Sequence, residues 1–330
     1  MEYVYLGKTG VRVSPLCLGT MPFGGIADEA ESAAMFHRSR EAGVNFFDCA
    51  NLYNGGRAEE ILGKLIAPER DKLVITTKVF YPTGSDINDG RASRRHILRA
   101  VEDSLRRLRT DRIDIYFIHR FDDFTAMEET LRVLDDLVQQ GKILYPGASN
   151  FAAWQVEKGL GISARQGWAP FEVIEPMYNL VKRQAEVEIL PMAQAENLGV
   201  ICYNPLGGGL LTGKYGRDGR GAAGRLAQDK SYTARYGADW MFDVGARFAE
   251  LARARGYEPA ALAVAWVASH PAVTAPIVGA RNVAQLEQSL KSLEIKMTPE
   301  LRAEISALSP EPPPATDRTD ERTPFAPRMP

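Results

Sequence analysis

The sequence lacks the marks of several large classes of protein. It has three cysteines in 330 residues, Cys17, Cys49 and Cys202, too few and too scattered for a disulfide framework. Lysine and arginine total 40 against 42 aspartates and glutamates, so no basic excess is available for nucleic-acid phosphates or a membrane surface. No apolar run approaches the roughly 18 residues of a membrane helix, and no secretory signal is visible. We therefore expect a cytoplasmic protein that binds neither nucleic acid nor membrane.

The chain does contain alternating strand-like and helix-like segments. A hairpin pattern opens it at residues 3–13, with Gly7 and Gly10 at the turn. Eight apolar segments then have the composition of strands buried on both faces of a parallel sheet. These predicted strands are residues 16–18, 44–47, 73–76, 113–118, 143–146, 173–175, 200–203 and 275–278.

Segments with helical periodicity lie between these strands or follow the last one. Seven of them are residues 29–42, 59–65, 94–108, 127–140, 151–158, 186–197 and 282–292. Two more, residues 243–255 and 259–269, lie between the seventh and eighth strands. Gly43, Gly141 and Gly199 stand where helices would end in the left-handed conformation that glycine adopts without strain.

Eight successive strand–helix units predict a (β/α)8 TIM barrel with an N-terminal β-hairpin and extra C-terminal helices. A doubly wound open sheet is the alternative, but residues 19–25 (GTMPFGG) after the first strand do not fit its Gly-x-Gly-x-x-Gly fingerprint. Residues 207–237 are predicted to form a long loop over one mouth of the barrel. We assign residues 1–309 to the barrel and 310–330, with seven of the 20 prolines, to a Pro-rich C-terminal tail, ordered or disordered.

Four polar side chains follow or end three neighbouring predicted strands. Asp48 and Tyr53 follow the second strand, Lys78 the third and His119 the fourth. Each alone has an ordinary structural explanation, such as a helix cap, an exposed strand end or a core histidine. Their common height at the carboxyl ends of barrel strands, where active sites lie, favours a catalytic role.

With the segments around them, these residues resemble the aldo-keto reductase superfamily, in particular its potassium-channel β-subunit-like and bacterial branch. The resemblance runs from the hairpin to about Leu293 and includes residues 56–63 (GRAEEILG), 119–122 (HRFD) and 147–150 (GASN). It implies that Asp48, Tyr53, Lys78 and His119 form the family's catalytic tetrad.

The chemistry of these four residues agrees with carbonyl reduction, which requires a hydride donor and a proton donor for the oxygen. A free tyrosine has a pKa of about 10, so we expect the Lys78 ammonium to lower the pKa of Tyr53, the general acid, and Asp48 to hold that ammonium. His119 would orient the carbonyl oxygen. The histidines lack the spacing of metal ligands, and no metal is predicted.

The resemblance also implies that NADPH or NADP⁺ carries the hydride. Ser149 and Asn150 would bind the nicotinamide carboxamide, Tyr203 would stack on the ring, and Arg281 is placed to pair with a 2′-phosphate, which favours NADPH over NADH. The complete set of predicted cofactor-binding residues is Gly19, Thr20, Met21, Asp48, Ser149, Asn150, Glu175, Tyr203, Pro205, Leu206, Gly208, Leu210, Gly213, Lys214, Gly279, Arg281, Gln285, Gln288 and Ser289.

Three of these positions depart from the family pattern. Gln288 and Ser289 stand where relatives often have an acid and an asparagine, so contacts with adenine are expected to be weaker. Glu175 stands where relatives have a glutamine. An ionised Glu175 can only accept hydrogen bonds and would favour the oxidised cofactor, whereas a protonated one would imitate glutamine.

We predict an NADPH-dependent oxidoreductase that interconverts aldehydes or ketones and alcohols. The alternative is a β-subunit-like partner protein that binds the cofactor, reports its redox state and turns over little. Aromatic residues predict a pocket for an apolar or ring-containing small molecule. They are Phe23, Phe80, Tyr81, Phe121 and Trp240, with Tyr232, Tyr236 and Phe325 as further candidates. The sequence predicts no particular oligomeric state.

Overall fold

A computed structural model of the chain describes residues 1–216, 226 and 230–316. Strands β1 (Val4–Tyr5) and β2 (Arg12–Val13) form an antiparallel hairpin. Within the described residues, eight parallel strands close into a barrel in chain order. They are β3 (Cys17–Gly19), β4 (Phe46–Asp48), β5 (Val74–Val79), β6 (Ile113–Ile118), β7 (Ile143–Ser149), β8 (Val173–Glu175), β9 (Gly199–Cys202) and β10 (Ala275–Val278). The predicted (β/α)8 barrel and its hairpin are confirmed.

The helices cover the outside of the barrel. In chain order they are α1 (Glu29–Glu41), α2 (Arg57–Ile66), α3 (Arg94–Leu108), α4 (Met127–Gln139), α5 (Ala153–Gln166), α6 (Ile189–Ala195), α7 (Lys230–Tyr236), α8 (Asp239–Ala254), α9 (Pro259–Ala268), α10 (Val283–Leu290) and α11 (Pro299–Ser306). Each of the nine predicted helices is present. Helix α5 runs past the predicted end at residue 158, because Gly159 packs closely on Phe171 inside the helix instead of ending it.

The predicted loop at residues 207–237 is in part helical. A 3₁₀ helix spans Gly207–Thr212, and α7 follows, with Tyr232 and Tyr236 buried in the core. Packing of these two buried rings stabilises α7, and the local sequence pattern does not show it. Residues 217–225 and 227–229 of this segment lie outside the described residues. So do residues 317–330 of the predicted tail, including Phe325, whereas residues 310–316 are described and contain no helix.

Of the three glycines predicted to end helices, two do so. Gly43 and Gly141 have φ of +91° and +70°. The prediction for Gly199 is wrong, because this residue lies inside β9 and Asn197, at φ +52°, takes the left-handed position. Gly199 is required for another reason: a Cβ there would lie 2.6 Å from Cδ1 of Leu6.

The hairpin closes the amino-terminal end of the barrel. Leu6 and Val13 belong to the same buried cluster as the inward-facing strand residues, including Cys17, Phe46 and Val173. A second, larger core lies between the strands and the helices. Because the hairpin fills one end, side chains at the carboxyl ends of the strands are left to form a site at the other end.

Candidate active site

Lys78 is the centre of the site at the carboxyl ends of the strands. It lies in β5, opposite Phe117 of β6, and its side chain is fully buried. Its Nζ atom donates hydrogen bonds to Oδ1 of Asp48 and, over 2.9 Å, to the carbonyl oxygen of Cys49. Burial alone would lower the pKa of Lys78, but the charge of Asp48 and the hydrogen bond to its carboxylate raise the pKa well above its usual value. The lysine is therefore a buried cation.

Asp48 is fixed by both neighbouring strands. Its carboxylate also accepts a hydrogen bond from the hydroxyl of Thr76 on β5. Its backbone oxygen accepts two hydrogen bonds of 2.9 Å, from N and Oγ1 of Thr20. Thr20 is fully buried, so the hydroxyl of this predicted cofactor residue is used to hold the loop after β3 against Asp48.

Tyr53 is placed by a tight turn before α2. A 3₁₀ turn spans Tyr53–Gly56, and Asn54 at φ +51° donates from Nδ2 to the carbonyl oxygens of Met21 and Phe23, over 2.9 and 2.8 Å. The centroid of the Tyr53 ring lies 5.5 Å from Nζ of Lys78 and 6.3 Å from the centroid of His119. The structure thus brings the four predicted tetrad residues together.

The electrostatics of Tyr53 differ from the prediction. Burial raises the pKa of Tyr53 well above its usual value, and the charge of Lys78 lowers it only in part. Lys78 therefore acts on the pKa of Tyr53 in the predicted direction, but the net shift is upward, because the protein around the phenol disfavours a phenolate more than one ammonium stabilises it.

His119 is held neutral. Burial, followed by the charge of Lys78, lowers the pKa of His119 to about 3. Its Nδ1 atom is buried and has no hydrogen-bond partner among the described residues. A neutral imidazole with a free ring nitrogen can accept or donate one hydrogen bond at the mouth, depending on its tautomer.

A chain of hydrogen bonds links the ends of β7, β8 and β9. The hydroxyl of Tyr203 donates to Oδ1 of Asn150 over 2.5 Å, and Nδ2 of Asn150 donates to Oγ of Ser149 over 2.9 Å. The Ser149 hydroxyl donates to the backbone oxygen of Glu175 over 3.1 Å. The predicted partners of a carboxamide and the predicted stacking ring therefore form one connected group.

Asn204 follows this group and was not predicted as a site residue. It has φ +58°, and its Oδ1 atom accepts a hydrogen bond of 3.3 Å from the Tyr232 hydroxyl. Its Nδ2 atom is buried without a partner in the described part of the chain. An asparagine directly after a strand, in the left-handed conformation that asparagine tolerates, was the available signal.

The glycine-rich segment after β9 contributes less side-chain contact than predicted. The side chain of Leu210 is buried and would touch any Cβ added at Gly245 of α8. Its side chain is therefore part of the core, and a contact of this residue with cofactor stays a prediction. Lys214 is exposed, whereas Pro205 is buried.

Backbone N–H groups in the segment after β10 already donate hydrogen bonds to side chains of the protein. Asn282 caps α10 by accepting from the N–H of Gln285 over 3.0 Å, and Oε1 of Gln285 accepts from the N–H of Arg281 over 3.1 Å. Oε1 of Glu31, on α1, accepts from the N–H of Val283 over 2.6 Å. The guanidinium of Arg281 makes no hydrogen bond or ion pair within residues 1–216, 226 and 230–316.

Two neighbouring residues on α10 differ in exposure. Gln288 is exposed, whereas Ser289 is 2% exposed. Ser289 is buried on the inner side of the helix, and its contact with adenine stays a prediction.

The predicted aromatic pocket is found only in part. The ring of Tyr81 lies 5.1 Å from that of His119, and Phe80 lies 5.3 Å from Tyr81. Phe121 contacts Trp154, an exposed residue that was not predicted, at 6.0 Å.

Two of the predicted pocket residues have no contact with the other rings among the described residues. Phe23 is fully buried in the outer core, and its assignment to the pocket stays a prediction. Trp240 lies exposed at the start of α8 and has no ring contact with the site among the described residues.

Neither a metal cluster nor a membrane helix is present in the described part of the chain. Those residues contain no group of three histidine, cysteine, aspartate or glutamate side chains able to hold a metal ion. None of their helices is long and apolar enough to span a membrane.

Comparison with known proteins defines the class. The Aldo/keto reductase family profile matches residues 15–310, so the chain belongs to this family. It is 37% identical over 324 residues to the uncharacterized oxidoreductase YrpG of Bacillus subtilis (strain 168), covering 94% of this chain and 97% of the relative. It is 36% identical to a probable voltage-gated potassium channel subunit beta of Oryza sativa subsp. japonica, covering 93% and 96%.

A third relative is named for a reaction. The chain is 32% identical to the versiconal hemiacetal acetate reductase of Aspergillus parasiticus, covering 91% of this chain and 94% of the relative. The family match and the names of these relatives support a general oxidoreductase function, and the family uses nicotinamide cofactors.

Proposed function

We propose that the chain is an NADPH-dependent aldo-keto reductase that interconverts aldehydes or ketones and alcohols. The observation that carries the proposal is the buried Lys78 ammonium, bonded to Asp48 and lying 5.5 Å from the ring centroid of Tyr53. In this arrangement the proposed proton donor Tyr53, the charge of Lys78 and the neutral His119 lie close together at the carboxyl ends of the strands. Such a set suits a reaction in which an oxygen gains negative charge and then a proton.

Each residue of the tetrad has a separate task in this proposal. Tyr53 gives its phenolic proton to the substrate oxygen. Lys78 stabilises the phenolate that this leaves, which matters because burial otherwise raises the pKa of Tyr53. His119 donates a hydrogen bond to the substrate oxygen from its free ring nitrogen in the matching tautomer, and Asp48 keeps Lys78 in place.

The mouth of the barrel fits a nicotinamide cofactor. Buried polar atoms of Asn204 and His119 lack hydrogen-bond partners among the described residues and can be satisfied by a polar ligand. We propose that Ser149 and Asn150 bind the carboxamide and that Tyr203 packs on the ring. When bound, the nicotinamide supplies or accepts the hydride.

The preference for NADPH rests on Arg281. The N–H groups of Arg281 and Val283 are bonded to Gln285 and Glu31, so the guanidinium is the group that remains for a 2′-phosphate. A guanidinium can bind phosphate oxygens with two parallel hydrogen bonds. The carboxylate of Glu31 at the start of α10 opposes a second negative charge there, and its removal should strengthen NADPH binding.

The substrate is proposed to be an apolar or ring-containing carbonyl compound or alcohol. The ring of Tyr81 lies edge-on to that of His119, and Phe80 packs against Tyr81. Phe121 follows His119 by two residues and contacts Trp154. These rings offer apolar surface next to the proposed position of the carbonyl oxygen.

The second candidate is a β-subunit-like partner that binds cofactor and turns over little, favoured by the identity to the rice potassium channel subunit. A panel of aldehydes, ketones and alcohols assayed with NADPH, NADP⁺, NADH and NAD⁺ separates the two functions. Sustained oxidation of many equivalents of NADPH per protein supports the enzyme. Oxidation of one bound equivalent that does not exchange with the solution supports the partner protein.

A further inference from the structure

We propose that Glu175 is a redox-linked proton site, protonated when the cofactor ring is neutral or absent and ionised when the ring is cationic. NADP⁺ then binds with release of a proton that NADPH does not release. This inference rests on the proposed function, because it requires a nicotinamide cofactor at the strand ends.

The geometry shows two buried carboxylates that share one ammonium. Glu175 ends β8 opposite Ser149, and its side chain is 4% exposed. Its Oε2 atom forms an ion pair of 3.2 Å with Nζ of Lys78, in a geometry that does not meet that of a hydrogen bond. Lys78 instead donates to Asp48 and to the oxygen of Cys49. Asp48 is thus the nearer, hydrogen-bonded partner of Lys78, and Glu175 is the more distant one.

The other groups that face Glu175 supply no further positive charge. They are Asp48 on β4, Tyr53 after β4, Lys78 on β5, Cys17 on β3, and Cys202 and Tyr203 at the end of β9. Burial raises the pKa of both thiols and both phenols, so these four groups are neutral at ordinary pH. An ionised Glu175 therefore gives the buried site a net negative charge, and a protonated one leaves it neutral.

A buried net charge is unfavourable, so the protonated form is expected in the free protein. In agreement, burial followed by the charge of Asp48 raises the pKa of Glu175 to about 8, with Lys78 acting in the opposite direction. A cationic ring nearby would favour the carboxylate, and a neutral ring would not. When NADP⁺ binds to the protein with protonated Glu175, the products are the complex with ionised Glu175 and one proton, which the buffer takes up.

The linkage fixes the sign of the pH dependence. Because the complex with NADP⁺ holds fewer protons than the free protein, the affinity for NADP⁺ rises as the pH rises toward 8 and then levels off. The affinity for NADPH lacks this rise. Ionisation of the 2′-phosphate affects both cofactors and cancels in the ratio of their dissociation constants. Below the pKa that ratio should change by up to about tenfold per pH unit.

The test is titration calorimetry of the whole protein with NADP⁺ and NADPH at pH 7, in two buffers of different ionisation enthalpy. In the wild type we expect NADP⁺ to release up to about one proton more than NADPH. Glu175→Gln should abolish this difference. The matched control is Glu172→Gln, which should leave the difference intact. It removes a carboxyl whose pKa is also raised by burial and which lies just before the amino-terminal end of β8, beside Lys8.

Failure of the inference and of the proposed function are distinguishable. Equal proton release with both cofactors in the wild type, or an unchanged difference in Glu175→Gln, overturns the inference alone. If neither cofactor binds the wild type, the proposed function falls and the inference with it. The wild-type proton count and the pH dependence of its two dissociation constants require no variant, so they decide the matter even if Glu175→Gln folds poorly.

Discussion

The hydroxyl of Tyr203 donates a 2.5 Å hydrogen bond to Oδ1 of Asn150 and so joins the ends of β9 and β7 across β8. Asn150 has φ +57°, and its Nδ2 atom donates to Oγ of Ser149 and to the backbone oxygen of His119. One hydrogen bond therefore orients both the ring proposed to pack on the nicotinamide and the amide proposed to bind its carboxamide.

Tyr203→Phe keeps this ring and removes the hydrogen bond, so it should weaken NADPH binding without abolishing it. A neutral hydrogen bond contributes about 0.5–1.5 kcal/mol, or roughly a two- to tenfold rise in Kd. Fluorescence titration with NADPH measures the change. Tyr145→Phe is the control, because its hydroxyl bonds the oxygen of Thr9 at the other end of the barrel. Unchanged affinity in both Tyr203→Phe and Tyr203→Ala would remove Tyr203 from the cofactor site.

Cofactor preference should depend on Arg281 and, in the opposite direction, on Glu31. Arg281→Met removes a charge-assisted phosphate contact of about 1.5–3 kcal/mol and should raise the Kd of NADPH by roughly ten- to 150-fold. The Kd of NADH, the internal control, should barely move. Glu31→Gln should strengthen NADPH binding a few-fold, since it removes a negative charge beside the proposed phosphate. Equal effects on both cofactors would mean that neither residue faces a 2′-phosphate.

A buried ion pair next to the tetrad should contribute strongly to stability. Glu59 is fully buried on α2, where it accepts hydrogen bonds from Thr77 over 2.5 Å and from Nε of Arg107 over 2.7 Å. Arg107→Met leaves this carboxylate without its cation and should lower the free energy of unfolding by about 2–3 kcal/mol. This is less than the loss for a fully buried pair, because the Arg107 side chain is 21% exposed.

The neighbouring arginine provides the control for this stability measurement. Arg106 pairs with Asp103 at the surface of the same helix, and Arg106→Met should change the free energy of unfolding by less than about 1 kcal/mol. Denaturant unfolding of the three proteins measures the difference. Equal small losses in both variants would show that the Glu59–Arg107 pair does not stabilise the fold.

The strands were predictable because they are continuous apolar segments, and the carboxyl ends of β6, β8 and β10 lie at the predicted residues. Strand β7 runs to Ser149 and β5 to Val79, three residues past the predicted ends. At these two ends the sequence turns to glycine, serine, threonine or lysine, which is typical of a loop. The local pattern therefore ends these two strands early, at the place where the site begins.

That the four residues of the predicted tetrad lie together was predictable from chain order at the strand ends, whereas contacts across the barrel were not. Nothing local in the sequence shows that Glu175 of β8 approaches Lys78 of β5, or that Glu31 reaches Val283, 252 residues away. The direction of the pKa shift of Tyr53 depends on how much protein surrounds the phenol, which only the fold determines. Long-range burial and pairing account for the errors at the site.

The most direct test of the proposed reaction is a single turnover that separates chemistry from binding. Wild type and Tyr53→Phe are each saturated with NADPH, as verified by fluorescence titration, and mixed with an aldehyde that the wild type reduces. The loss of nicotinamide absorbance gives the rate. Because Tyr53→Phe keeps the ring and removes only the proton donor, we predict similar NADPH affinity and a rate at least about 100-fold lower. An equal rate in the two proteins would contradict the assignment of Tyr53 as the general acid and the reaction built on it.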